Sequence, residues 1–258
     1  MSFLASTPAA QALAVFVSVF LFTLILTPAA GSSTAVLRSV VLQVLLVSLV
    51  PFVFTHLLKL DKRKVFSLRA VSAKNLLWCV LLASSGLFFL DEITFWQERL
   101  TGVRASLSPE IQRLLRADSA LQLGWIFIAL ALTPAICEEL LFRGFVLGRF
   151  LETGQPGQSL MMTSLLFGLF HRNLPALLPT TLAGIMLGFA VWRTGSLYCA
   201  IVMHAGINTW AILVVNTRLG ESLPWTREPG NVPTWLLLVS ALGVVVAGKQ
   251  LRSERVSG

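Results

Sequence analysis

Residues 121–150 read LQLGWIFIALALTPAICEELLFRGFVLGRF, and only Glu138, Glu139, Arg143 and Arg149 among them carry charge. A helix crosses a bilayer with about 20 predominantly apolar residues, so this stretch is long enough to span. It also carries two adjacent carboxylates well inside the apolar run. Comparable apolar runs lie on both sides of it, at about 9–28, 36–58, 74–95, 159–174, 176–192, 196–216 and 233–248. The expected fold class is all-α: a polytopic helical membrane protein with about eight transmembrane helices.

Composition points the same way. Hydrophobic residues make up 55% of the 258 and charged residues 12%, roughly half the charged share of a soluble domain. A soluble chain of this length has no means of covering so much apolar surface, whereas a lipid bilayer is a partner that covers it. Twenty Lys and Arg against twelve Asp and Glu leave a net charge of +8. The basic residues fall between apolar runs rather than on one face, which argues against a nucleic-acid partner and fits topology control by positive charge. Cys79, Cys137 and Cys199 all sit inside apolar runs. They show neither metal-ligand spacing nor a disulfide framework and read as small core residues.

Residues 9–27 exceed a typical signal-peptide core, and no Lys or Arg precedes them, so they read as the first membrane helix. A cleaved signal ending at the small residues Ala29, Ala30 and Gly31 is the other reading. The later breaks are chemically apt: Asp61-Lys62-Arg63-Lys64, the turn Gly154-Gln155-Pro156-Gly157, and Arg193-Thr194-Gly195. Residues 96–120 form the one long polar stretch. Within it, Ser108-Pro109-Glu110 reads as a helix start, and Ile111, Leu114 and Leu115 follow at helical spacing, so a short interfacial helix is expected there. The domain reading is three N-terminal spans with the interfacial segment over 1–120, a core over 121–217, and a last helix with a basic tail over 218–258. The distribution of Lys and Arg places both termini on the cytoplasmic side of a plasma (inner) membrane.

An ionisable group inside a membrane helix costs several kcal/mol unless paired, and so marks a functional candidate. Glu139 and Arg143 are four apart with the acid on the N-terminal side, the favourable order for an ion pair. Glu138 projects about 100° away from that partner. One acid is thus expected to be neutralised structurally, and the other left free as a general base or acid. Of the three histidines, His171 closes the stretch Phe167-Gly168-Leu169-Phe170-His171 in the fifth run, and His204 shares a helix face with Asn208 in the seventh. His56 stands alone and reads as an interfacial residue. Counted at about 1.5 Å per residue from the nearest turns, Glu138, His171 and Asn208 lie roughly 18 Å deep and His204 roughly 12 Å. The four can therefore meet at one level of the bundle. A proton- or ion-coupled transporter and a non-catalytic immunity or scaffold protein are the competing readings of such a cluster. Inverted repeats would favour a transporter, and the sequence has none.

At these residues the chain resembles the CAAX-protease and bacteriocin-processing (CPBP, or Abi) family of intramembrane proteases. The matching motifs are Glu138-Glu139-Leu-Leu-Phe-Arg143, Phe167-Gly-Leu-Phe-His171 and His204-Ala-Gly-Ile-Asn208, in order over residues 120–217. The resemblance implies hydrolysis of a peptide bond in a membrane-associated or prenylated protein substrate. Glu138 and His171 would activate water, and His204 and Asn208 would hold the oxyanion. Glu139 with Arg143 would give structural support. The family has been described both as metalloproteases and as glutamate-type proteases. If zinc is bound, Glu138, His171 and His204 could supply its ligands, with water as the fourth. The helical His-Glu-x-x-His motif is absent, and the metal-free mechanism is preferred. Other intramembrane protease classes fit less well. Ala83-Ser84-Ser85-Gly86 lacks the first glycine of a rhomboid Gly-x-Ser-Gly, no Gly-x-Gly-Asp pair occurs, and Asp91-Glu92 reads as an interfacial pair.

Overall fold

The computed structural model describes residues 7–26, 40–103, 109–223 and 232–252, and these contain helices but no strand. Eight principal helices follow the apolar runs. They are α1 (Pro8–Leu26), α2 (Val40–Leu57), α3 (Ala73–Thr101), α4 (Ala120–Leu151), α5 (Pro156–Phe170), α6 (Leu177–Thr194), α7 (Leu197–Asn216) and α8 (Thr234–Gln250). Six of them, all but α5 and α8, are long and apolar enough to cross a membrane. With 15 and 17 residues, α5 and α8 reach roughly 22 and 25 Å, short of a hydrocarbon core of about 30 Å. The architecture is therefore that of a helical polytopic membrane protein. The two short helices separate the number of helices from the number of full-length spans.

Local chemistry explains the boundaries. Asp61 accepts hydrogen bonds from the backbone N–H groups of Arg63 and Lys64 at 2.8 and 3.4 Å, capping the short helix Lys62–Val65. Ser72 caps α3 through the N–H of Asn75 at 3.2 Å. The third run, expected over 74–95, continues to Thr101 and takes in the start of the segment assigned to the interface. It stops at Gly102, whose φ of 68° is the left-handed conformation glycine adopts without strain. A short helix is present at Pro109–Leu115, with Leu115 buried; Ser108 lies outside the described residues. The fifth run was expected to reach 174, but α5 ends at Phe170, and the chain turns through Arg172 at φ 52° before re-entering α6. Ala29, Ala30 and Gly31 lie outside the described residues.

Two apolar cores flank the middle of the bundle. The first joins α1, α2 and the second half of α4 through Phe16, Val47, Phe142, Phe145 and Phe150. The second joins α3, α6, α7 and α8 through Leu82, Leu187, Leu197, Met203 and Ala247. All three cysteines are buried, and none forms a disulfide. Arg149, near the end of α4, is buried and donates to Gln11 of α1 at 2.6 Å and to Glu152 at 2.6 Å, which ties the first helix to the core.

The α5–α6 contact is made by small residues. A methyl group added at Gly184 would lie 3.0 Å from Cβ of Ser164, and one at Gly168 would meet Oγ1 of Thr181. In a membrane, where no solvent drives helices together, such close backbone approach is what supplies packing. Gly184→Val should therefore separate the pair and cost about 1–3 kcal/mol. It should be read as a lowered unfolding temperature of the detergent-solubilised protein. Gly124→Ala, where nothing lies within 4 Å, should leave that temperature unchanged or higher.

Candidate active site

The glutamate pair sits on an interrupted helix. In α4 the regular segment Thr133–Glu139 is bounded by π-helical turns at Phe127–Leu132 and Leu140–Val146. Pro134, just inside it, has no N–H to give, and the hydroxyl of Thr133 donates to the Ile128 carbonyl at 2.8 Å. Wide turns of this kind re-aim side chains and recur at functional positions.

Glu139 and Arg143 are wholly buried. Arg143 donates from Nη1 to Oε1 of Glu139 at 2.8 Å and from Nη2 to the Gly184 carbonyl at 3.1 Å. Its guanidinium carbon lies 4.2 Å from the centre of the Phe167 ring, a cation–π distance. His204, also buried, places Nδ1 2.7 Å from the same Oε1 of Glu139. One carboxylate oxygen thus gathers α4 and α7, while its arginine adds α5 and α6. An ionised carboxylate only accepts, so Nδ1 of His204 carries the hydrogen and Nε2 faces away from the pair.

Glu138 has a different environment. It is 7% exposed, and its Oε2 is buried with no hydrogen-bond partner. The two adjacent acids are therefore unlike. Oε1 of Glu139 takes both an arginine and a histidine, whereas Glu138 makes no side-chain hydrogen bond or ion pair among the described residues; Oε2 of each acid is buried without a partner.

His171 caps the C-terminal end of α5 and is exposed. Its Nδ1 lies 2.9 Å from the Phe167 carbonyl. Since a carbonyl only accepts, Nδ1 donates and Nε2 is left with its lone pair free in the neutral ring. Phe167 stands between the two histidines, edge-on to His171 at 4.7 Å and to His204 at 5.8 Å. Asn208 is half-buried and makes no hydrogen bond among the described residues. No direct bond joins Glu138 to His171 among them either. His56 is exposed and stands apart from the cluster. Glu92 accepts from the Trp96 indole at 3.0 Å on its own helix.

Two contributors were not singled out from sequence: the Phe167 ring as a wedge under Arg143, and the Gly184 carbonyl as its second acceptor. Phe167 was quoted only as a motif position. Gly184 carried one faint signal, a glycine inside an apolar run. A zinc site built from Glu138, His171 and His204 does not fit this arrangement. Among the described residues no three His, Cys, Asp or Glu side chains group closely enough to hold a metal ion.

A helical membrane bundle with a buried Glu-Glu-Arg-His cluster at its centre defines the class of an intramembrane polar site. Comparison with known families adds a likeness over part of the chain. Residues 120–210 match the model described as "Type II CAAX prenyl endopeptidase Rce1-like". That region holds all three motifs, from Glu138 to Asn208, and it bears out the resemblance to CPBP proteases. The chain is thus an integral membrane protein in which residues 120–210 are similar to a CAAX-type intramembrane endopeptidase family. No curated protein and no solved structure matches it.

Breaking a buried ion pair from one side leaves an uncompensated charge and costs about 3–5 kcal/mol. Arg143→Met should therefore destabilise the protein strongly. Adding Glu139→Gln should recover part of that loss, which a double-mutant cycle of unfolding midpoints would measure.

Proposed function

We propose that the protein is an intramembrane endopeptidase that hydrolyses peptide bonds of membrane-associated or prenylated proteins through Glu138 and His171. The observation that carries this reading is that buried Glu138 makes no side-chain hydrogen bond or ion pair among the described residues, beside a Glu139 whose Oε1 takes both Arg143 and His204. A carboxylate held without a counter-ion in a water-poor site is a proton acceptor with nothing else to accept from.

In this reading a water molecule lies within reach of both Glu138 and the free Nε2 of His171. Glu138 takes the water's proton as its oxygen attacks the scissile carbonyl, and later delivers it to the leaving amine. In this reading the tetrahedral oxyanion is held by the Asn208 amide, and by Nε2–H of His204 in its imidazolium form, since Nδ1–H is taken by Glu139. Glu139 and Arg143 act as positioning residues, because Glu139 fixes the His204 ring by its Nδ1. No step here passes through a metal. The gathering of Arg69, Lys74, Arg193, Lys249 and Arg252 near the N-terminal end of α3 and the C-terminal ends of α6 and α8 supports that end being cytoplasmic in a plasma (inner) membrane.

Glu138→Gln removes the base while keeping the shape. Cleavage of a farnesylated CAAX reporter peptide by the reconstituted protein should fall at least about a hundredfold, with membrane insertion unchanged; an unaltered rate would sink the assignment. Asn208→Ala should lower kcat by about 10²–10³ with little change in unfolding temperature. Zinc content tests the metal-free preference separately: stoichiometric zinc in the purified protein, lost on His171→Ala, would reverse it.

A further inference from the structure

The opposite side of α6 carries a second feature. Gly184 and Gly188 face α5 and α4, whereas Met186 and Phe189 line a cleft between α3, α6 and α8. The cleft has a volume of about 490 Å³. Its walls are apolar, formed by Leu82, Met186, Phe189 and Val244, and two cations, Arg193 and Lys249, stand at one end. From Ile185 to Arg193 it follows α6 for eight residues, or roughly 12 Å. Gly248 keeps it open, since a methyl group there would meet nothing nearer than the Phe189 ring at 3.7 Å.

The charge at that end is one-sided. A smaller cavity of about 260 Å³ lies beside it, lined by Lys74, Asn75, Gln250 and Arg252. Among the described residues no acidic side chain lines either cavity. Arg193 donates from Nε to the Leu251 carbonyl at 3.1 Å, and its guanidinium stands 6.0 Å from the Phe189 ring. That fixes its position and leaves its charge uncompensated. Lys249 is exposed and has no partner among the described residues. An apolar trough running along membrane helices to a pair of unpaired cations complements one kind of molecule: an acyl chain attached to an anionic head.

We infer that the cleft between α3, α6 and α8 is a binding site for an anionic phospholipid of the surrounding bilayer. An acyl chain lies against Leu82, Met186, Phe189 and Val244, and the phosphate lies between Arg193 and Lys249. Basic pockets between membrane helices select lipid headgroups by this combination. The site is separate from the glutamate–histidine cluster and does not depend on the proteolytic reading.

Native mass spectrometry of the full chain in neutral detergent tests it, with phosphatidylglycerol and phosphatidylcholine of identical acyl chains. Each cation near a headgroup is worth about fivefold in affinity. Phosphatidylglycerol should therefore be retained about thirtyfold more strongly than phosphatidylcholine. Lys249→Gln, at an exposed position, should lower its retention about fivefold without changing the unfolding temperature, and Arg193→Gln should lower it further. Gly248→Leu, which fills the trough but keeps both charges, should weaken both lipids. Equal retention of the two lipids would overturn the proposal, as would phosphatidylglycerol binding indifferent to Lys249→Gln and Gly248→Leu. Displacement by inorganic phosphate at matched concentration would also overturn it by removing the acyl part. Displacement by a farnesylated peptide would reassign the cleft to substrate.

Discussion

A single carboxylate oxygen, Oε1 of Glu139, holds the centre of this protein together. It receives Arg143 from its own helix and His204 from α7, and Arg143 in turn reaches the backbone of α6 and the ring of Phe167 on α5. In a medium that offers no water to buried charge, such a group must be paired or abandoned. Four helices therefore have to converge on one point with their polar groups in register. The position of every other site residue follows from that convergence.

The convergence has geometric requirements that the rest of the bundle meets. Arg143 reaches the Gly184 carbonyl because α5 and α6 pack through Gly168, Ser164, Thr181 and Gly184. Larger side chains there would push α6 away from the guanidinium. The π-helical turns on either side of Thr133–Glu139 change the pitch of α4 just where the acids must point in different directions. The shortness of α5 has a similar effect. It ends one turn beyond Phe167, so His171 is held at a helix end beside the cluster rather than carried past it.

The two faces of α6 divide the molecule's polar chemistry. One face supplies a carbonyl to the buried arginine and packs glycines against α5. The other lines an apolar cleft that ends in unpaired cations. A charged group in a membrane protein is tolerated either by internal pairing, as at Glu139, or at the ends of the helices, where Arg193 and Lys249 stand. The fold uses both solutions on one helix.

Much of this was legible in the residues themselves. Apolar runs broken by turn chemistry specify helices wherever they occur, so all eight runs became helices, and the acid-first spacing of Glu139 and Arg143 already implied their pairing. The three motifs also carried the resemblance to a protease family, because local spacing along a helix is a property of sequence. What only the tertiary structure decided was which groups meet across helices. His204 finds Glu139 across 65 residues, Phe167 becomes the floor under Arg143, and a glycine carbonyl serves as an acceptor. Periodicity could not reveal these contacts, because they depend on how closely two backbones approach. It could not settle full-length crossing for α5 and α8 either, since an apolar run does not say where the helix inside it will stop. Sequence determined that the chain enters the membrane and which side chains it must satisfy there; packing decided which partner satisfies each.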